Sequence, residues 1–135
     1  MSKKSVSNTP QTKASLVRSK LERYRFVNAS QHAILDYALD TALIAAPLLL
    51  GFYGLAFWLS VCTGLLNAGY SLLTSYQGGV VKLVPFRVHL AFDAALGVIF
   101  IAVALLAGFA EWELAWYLTV GVGINLAVLI TRVEP

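Results

Sequence analysis

The chain has 135 residues, of which 59% are hydrophobic and 13% charged, and it carries a formal net charge of +3. A soluble domain has roughly 45–50% apolar and about 25% charged residues, so this composition argues against an ordinary water-soluble globule and for a one-domain membrane protein. The single cysteine, Cys62, excludes an intrachain disulfide and any paired-cysteine redox or zinc motif.

The N-terminal stretch is polar and basic. Residues 1–15 are rich in Ser, Thr, Lys and Asn, include Pro10, and have too little apolar surface to bury, so disorder is expected. Residues 16–28 place Val17, Leu21 and Tyr24 at helical spacing, with Arg18, Lys20, Arg23 and Arg25 on other faces. Two readings stay open for this segment: a short helix lying on an anionic leaflet through those four cations, or a basic tail that only enforces orientation. A retained first span is expected rather than a cleaved leader, because the first apolar segment follows this tail and carries two aspartates.

Residues 41–81 contain no charged side chain, a run of forty-one. A helix crosses the hydrocarbon core with about 20 residues. The run therefore completes one span and holds a second, with the break at Gly51-Phe52-Tyr53-Gly54. Spans are expected near residues 33–52, 55–76, 89–109 and 113–131. A loop over residues 77–88 contains Gly78, Gly79, Lys82, Pro85 and Arg87. Pro47, inside the first span, is expected to kink it or to free a carbonyl one turn earlier. A soluble four-helix bundle would need polar faces every three to four residues, and residues 94–110 and 114–131 offer none.

Residues 32–52 match residues 89–109 without a gap, at ten of twenty-one positions. The pairs include His32/His89, Asp36/Asp93, Gly51/Gly108 and Phe52/Phe109, and the chain's two histidines align with each other. The following spans align with one further residue of shift, Trp58 with Trp116 and Asn67 with Asn125. The expected unit is a helical hairpin, residues 32–76 and again 89–132. Two spans per unit orient both copies alike, about a pseudo-twofold axis along the membrane normal. The expected fold is thus all-α, a transmembrane four-helix bundle of two parallel hairpin repeats. All ten Lys and Arg residues fall in the tail, the middle loop or the C-terminal end, whereas the two opposite turns hold Glu111 and Glu113. The positive-inside rule puts both termini in the cytoplasm, and Trp58, Trp112 and Trp116 near the outer turns form an aromatic belt. Basic residues spread along a membrane edge also argue against a nucleic-acid partner.

The first span, running from His32 and Asp36 through Pro47 to Leu48-Leu49-Leu50-Gly51-Phe52, resembles the SPW-repeat membrane proteins, small bacterial proteins whose hairpin carries Ser-Pro-Trp followed by Gly-Phe. Lys82-Leu83-Val84-Pro85-Phe86-Arg87-Val88-His89 is similar to that family's loop into its second copy. The resemblance covers about residues 25–132. This chain has Ala46-Pro47-Leu48 and Val103-Ala104-Leu105 where the family has Ser-Pro-Trp. The resemblance implies a four-span protein of a bacterial inner membrane and no catalytic residues.

His32, Asp36 and Asp40 are four apart and share a helix face; His89 and Asp93 repeat the first two, with Gly97 in place of the third. At about 1.5 Å per residue, Asp36 lies about 6 Å and Asp40 about 12 Å along the helix from His32. An acid near a helix centre costs roughly 2.5–3.5 kcal/mol on insertion scales, so Asp40 must face protein or water. Asn67 and Asn125 lie at a similar depth and, with Tyr70, Ser71, Thr74 and Thr131, are expected to complete a polar cluster. Arg87 and Arg132 are available partners for Asp36 and Asp93. The leading reading is structural: interhelical hydrogen bonds of order 1 kcal/mol, with acids near helix starts favoured by the dipole. The alternative is a proton or cation site, because two His and three Asp about a pseudo-twofold can bind a divalent metal or relay protons. Small residues four apart, Ala38, Ala42 and Ala46 on one span and Ser60, Gly64 and Ala68 on the next, are expected to let helices approach closely.

No nucleophile sits beside a base and no Gly-rich phosphate loop occurs, so no enzyme, catalytic residue, cofactor or dedicated metal centre is assigned. The expected function is a non-enzymatic membrane scaffold or accessory protein, with the bilayer and either a second copy or another membrane protein as partner. The alternative is a small transporter or proton/cation-binding protein that uses the His/Asp cluster.

Overall fold

Two glycine turns cut the apolar sequence into rods of membrane length. In the computed structural model, which describes residues 12–133, the elements are α1 (Lys13–Arg23), α2 (Ala29–Leu49), α3 (Gly54–Leu72), α4 (Phe86–Leu106) and α5 (Glu111–Ile130). Gly51 and Gly108 follow α2 and α4 with φ of 70° and 67°, the left-handed conformation that ends a helix and that a side chain disfavours.

The first and third spans start and stop earlier than the sequence suggests, by three or four residues. Asn28 caps α2 in a reciprocal box with Gln31, and α4 begins directly after Pro85. His32 and His89 therefore sit inside the first turn of their helices rather than at its edge. The tail helix α1 occupies Lys13–Arg23, not residues 16–28. Lys20 and Arg23 are exposed on it, Arg18 belongs to its backbone run, and Arg25 lies beyond its end. The disorder expected for the start of the chain falls largely on residues 1–11, outside the described residues.

The four long helices are each long and apolar enough to cross a bilayer, and only 28–33% of each spanning segment is buried within the protein. What faces outward is apolar: Leu49 is 83% exposed and Leu106 85%. Water would not tolerate four such faces, whereas lipid does, and helices satisfy their own backbone within it. The chain is an integral membrane protein with an all-α four-helix bundle. Its inner seam packs Leu43, Ala56, Phe100, Tyr117, Val120 and Ile124 together.

The bundle closes at one end, its base, where α2 and α4 begin and α3 and α5 finish. The lead into α2 bonds to the end of α5, with the Phe26 and Val27 amides donating to the Ile130 carbonyl and the Arg132 amide to the Val27 carbonyl at 2.8–3.1 Å. The lead into α4 bonds to the end of α3 through Leu83, Val84 and Ser75 with Leu73 and Val84 as acceptors, at 2.8–2.9 Å. Each bond in the first set has its counterpart 57 residues away in the second. The loop between α3 and α4 is anchored on α2 by Tyr37 Oη donating to the Gly78 carbonyl. A Cβ at Gly79 would fall onto the Thr74 carbonyl, so the loop can turn there only without a side chain.

Small residues set the helix spacing. Gly64 packs on Leu43 and Ile44, and a Cβ at Gly121 would lie 2.7 Å from the Gly97 carbonyl. The ridge expected on the first span is only partly inward, since Ala38 is exposed while Ala42 and Ala46 are half-buried. Pro47 removes the amide that would bond the Leu43 carbonyl one turn back, and Ser60 Oγ on α3 donates to that carbonyl instead at 2.8 Å. Trp116 Nε1 donates to the same Ser60 Oγ at 3.3 Å, tying α5 to the pair.

Two stability results follow, both measurable by unfolding in detergent. Ser60→Ala leaves a buried carbonyl without a donor and is expected to cost about 1–3 kcal/mol. The loss should shrink in a Pro47→Ala background, where residue 47 regains the amide. Gly121→Ala should cost about 1–3 kcal/mol by forcing α4 and α5 apart, whereas Gly69→Ala, with nothing within 4 Å of its Cβ, should be neutral or gain up to about 1 kcal/mol of helix propensity.

A buried histidine–aspartate tetrad

The i, i+4 spacing puts His32 over Asp36 on α2 and His89 over Asp93 on α4. Because both helices start at the base, the two pairs face each other there. His32 Nε2 lies 3.0 Å from Asp93 Oδ2, and His89 Nε2 lies 3.0 Å from Asp36 Oδ2, so each ring reaches the acid of the other hairpin. Within each helix the Nε2–carboxylate distances are 3.4 Å for His32–Asp36 and 3.1 Å for His89–Asp93. All four residues are buried, and one ligand atom from each lies within 4.8 Å of every other.

The opposite edge of each ring fixes its protonation. His32 Nδ1 lies 2.9 Å from Thr131 Oγ1, and His89 Nδ1 lies 2.9 Å from Thr74 Oγ1. A threonine hydroxyl has one hydrogen to give. Thr131 donates it to the Ala127 carbonyl at 2.6 Å and Thr74 to the Tyr70 carbonyl at 2.9 Å. Each Nδ1 must therefore be the donor to its threonine. That leaves each Nε2 with either a second proton or a lone pair aimed at the carboxylates. Two carboxylates and two Nε2 atoms so placed require positive charge between them. Two protons supply it, and so does one divalent cation.

The donor set suits a tetrahedral cation. Bonds of about 2.0–2.2 Å to nitrogen and oxygen imply ligand–ligand edges of about 3.3–3.6 Å; the Nε2–carboxylate distances are 3.0–3.4 Å, and the set, which spans up to 4.8 Å, would have to draw in for one ion to touch all four residues. With a cation bound, the threonines would be the outer hydrogen-bond acceptors that orient the imidazoles. Tyr76 Oη adds a donor to Asp36 Oδ2 at 3.0 Å, with no tyrosine equivalent on Asp93 among the described residues.

The other candidate residues lie apart from the tetrad. Asp40 is one turn deeper and buried; its Oδ1 accepts from Asn67 Nδ2 at 2.8 Å while Oδ2 has no partner among the described residues. Asn125 does not join it. Its amide donates to the Gly121 carbonyl on its own helix and occupies the space that a side chain at Gly97 would need. Arg87 and Arg132 do not pair with the aspartates: Arg87 is exposed, and Arg132 Nε donates to the Arg25 carbonyl at 2.6 Å. A buried carboxylate is served at shorter reach by a histidine already inside the first helical turn than by an arginine at the bundle edge. Tyr76 is the site residue that spacing did not single out, because it lies past the end of α3 in a loop that folds back under the bundle.

A cavity of about 310 Å³ opens beside the tetrad, mainly between α2 and α5, and touches His32, Asp36 and Asp93 but not His89. The flank beside His89 is closed. There Tyr70 stacks on the His89 ring at 5.1 Å, with Phe92 edge-on to Tyr70. The hydrogen bonds at the base match α3 to α5 at a spacing of 57 residues, not the 58 expected from Trp58/Trp116 and Asn67/Asn125, so the counterpart of Tyr70 is Ala127, which lines the cavity and leaves it open.

The threonine bonds predict that both imidazoles carry hydrogen on Nδ1, readable from ¹⁵N chemical shifts of the two rings. Thr131→Val should shift the His32 nitrogens and leave those of His89 near their original values. Rings found unprotonated at Nδ1 would contradict this geometry.

Comparison with protein-family models, with curated proteins and with solved structures finds no match.

Proposed function

We propose that this chain is a non-enzymatic, cation-binding membrane protein whose tetrad of His32, Asp36, His89 and Asp93 takes one divalent first-row cation, with Zn²⁺ the best fit to two imidazoles and two carboxylates. One observation carries this reading: both Nε2 atoms converge on both carboxylates while both Nδ1 atoms are held by threonines. Four protein ligands make a closed site, suited to holding or passing on a cation rather than to activating water. A small transporter of such cations is the natural extension.

A second reading has its own support. The two cross-hairpin contacts would also clamp the bundle with two protons in place of a metal, as a membrane scaffold or accessory protein with a second copy or another membrane protein as partner requires. The wider setting belongs to the same proposal. It comprises two copies of one hairpin, kinship with SPW-repeat proteins, both termini in the cytoplasm and residence in a bacterial inner membrane. The 57-residue match of sequence and of base contacts supports the first of these, and the grouping of Lys and Arg at the base supports the orientation.

Purified protein in detergent should bind one Zn²⁺ per chain and give the visible spectrum of tetrahedral Co²⁺ on cobalt loading. His89→Gln and Asp93→Asn should abolish that spectrum, and Thr131→Val should weaken Zn²⁺ binding by about 10–100-fold. A folded wild type that binds neither ion would leave the proton clamp as the function of the cluster.

A further inference from the structure

The cavity beside the tetrad is a built site with one chemical sense. Its walls are apolar, including Leu35, Leu39, Leu96, Val120 and Ile124, and among the described residues no Lys or Arg lines it. Its mouth lies between α2 and α5, where Leu35, Thr119 and Gly123 are exposed on the lipid-facing surface. An occupant therefore arrives from the hydrocarbon and must be largely apolar itself.

The polar end of the cavity offers acceptors. Asp93 is 96% buried, since its relative exposure is 4%. Its Oδ2 takes both histidine contacts, while its Oδ1 accepts from no described residue. Asn67 spends its amide nitrogen on Asp40, which leaves its carbonyl oxygen as a second acceptor lining the same space. Two acceptors lining one apolar cavity, one of them a carboxylate oxygen, suit a donor head, and a charged donor makes the strongest such bond. A volume of about 310 Å³ sits at the lower end of ligand pockets, which run from about 300 to 1,000 Å³.

We propose that this cavity binds a small protonated lipophilic amine, its ammonium on Asp93 Oδ1 and the Asn67 carbonyl, its apolar body against Leu39, Leu96 and Ile124. The site exists on one flank only because Gly123 and Ala127 stand on α5 where α3 carries Leu66 and Tyr70. It uses a different carboxylate oxygen from the one facing the histidines, so it does not depend on the metal reading.

The probe is adamantan-1-amine, a compact cage with one ammonium, added to the full chain in metal-free detergent or bicelles and followed by calorimetry and ¹⁵N–¹H shifts. The neutral isostere adamantan-1-ol is the comparison arm. The amine should bind at least tenfold more tightly than the alcohol. Ala127→Tyr and Gly123→Leu should each weaken it at least tenfold, while both variants keep the wild-type response to Zn²⁺, whatever that is. Equal binding of amine and alcohol, tighter binding of the alcohol, or unchanged amine affinity in both plugged variants would overturn the proposal. So would a wild type that shows no amine binding, and if it still bound Zn²⁺ the cation reading of the tetrad would stand without this one.

Discussion

Two carboxylates cannot be carried into the interior of a bilayer protein without positive charge to match them, and the base of this bundle is arranged around that constraint. Each aspartate meets the imidazole of its own helix and that of the facing hairpin. The charge balance thus serves as the join between hairpins, whose closest backbone packing is otherwise within each pair, α2 with α3 and α4 with α5. Removing one member of such a cluster is worse than losing one hydrogen bond, because the groups left behind stay buried with an unbalanced charge. The threonines at the ends of α3 and α5 extend the constraint, since they hold the rings and themselves depend on the base bonds that close the bundle.

The near-symmetry of the base makes its departures informative. Asp40 stands where the other hairpin has Gly97, Tyr70 where the other has Ala127, and Pro47 where the other has Ala104. Each difference changes what the neighbouring helix can do. Gly97 lets the Asn125 amide lie against its backbone, whereas Asp40 draws the Asn67 amide into a polar pair. Tyr70 seals one flank of the tetrad with a stacked ring, and Ala127 leaves the other open. Pro47 releases a carbonyl that recruits Ser60 and, through it, Trp116. A tetrad with two equivalent faces thereby gains a single approach, and it comes from the side of α2 and α5.

Much of this was legible in the sequence because the deciding features were local. The uncharged run of residues 41–81 and the Gly51 to Gly54 turn specify two rods without reference to anything distant. The His–x₃–Asp spacing, written twice, specifies two faces that carry the same groups. What spacing could not give was how those faces meet. Partner choice depended on helix starts a few residues earlier than expected, which drew His32 and His89 inside the bundle and left Arg87 and Arg132 at its rim. Asn67 and Asn125 look alike in sequence and part company in space, because their surroundings are an aspartate in one case and a glycine in the other. Tyr76 was invisible for a related reason: a loop residue acquires a role only once the loop has folded under the helices, and the Gly79 turn that permits this has no signature beyond a Gly-Gly pair.

Position along the helices explains why a histidine–aspartate cluster is tolerable here at all. The four residues sit in the first two turns of α2 and α4, where the helix dipoles favour negative charge and the unbonded amides of the first turn raise the local potential. That field stabilises the carboxylates. The same four side chains at the ends of α3 and α5 would feel the reverse field, which disfavours buried carboxylates. The direction in which the helices run therefore sets the chemistry of the base as much as the identity of the residues does.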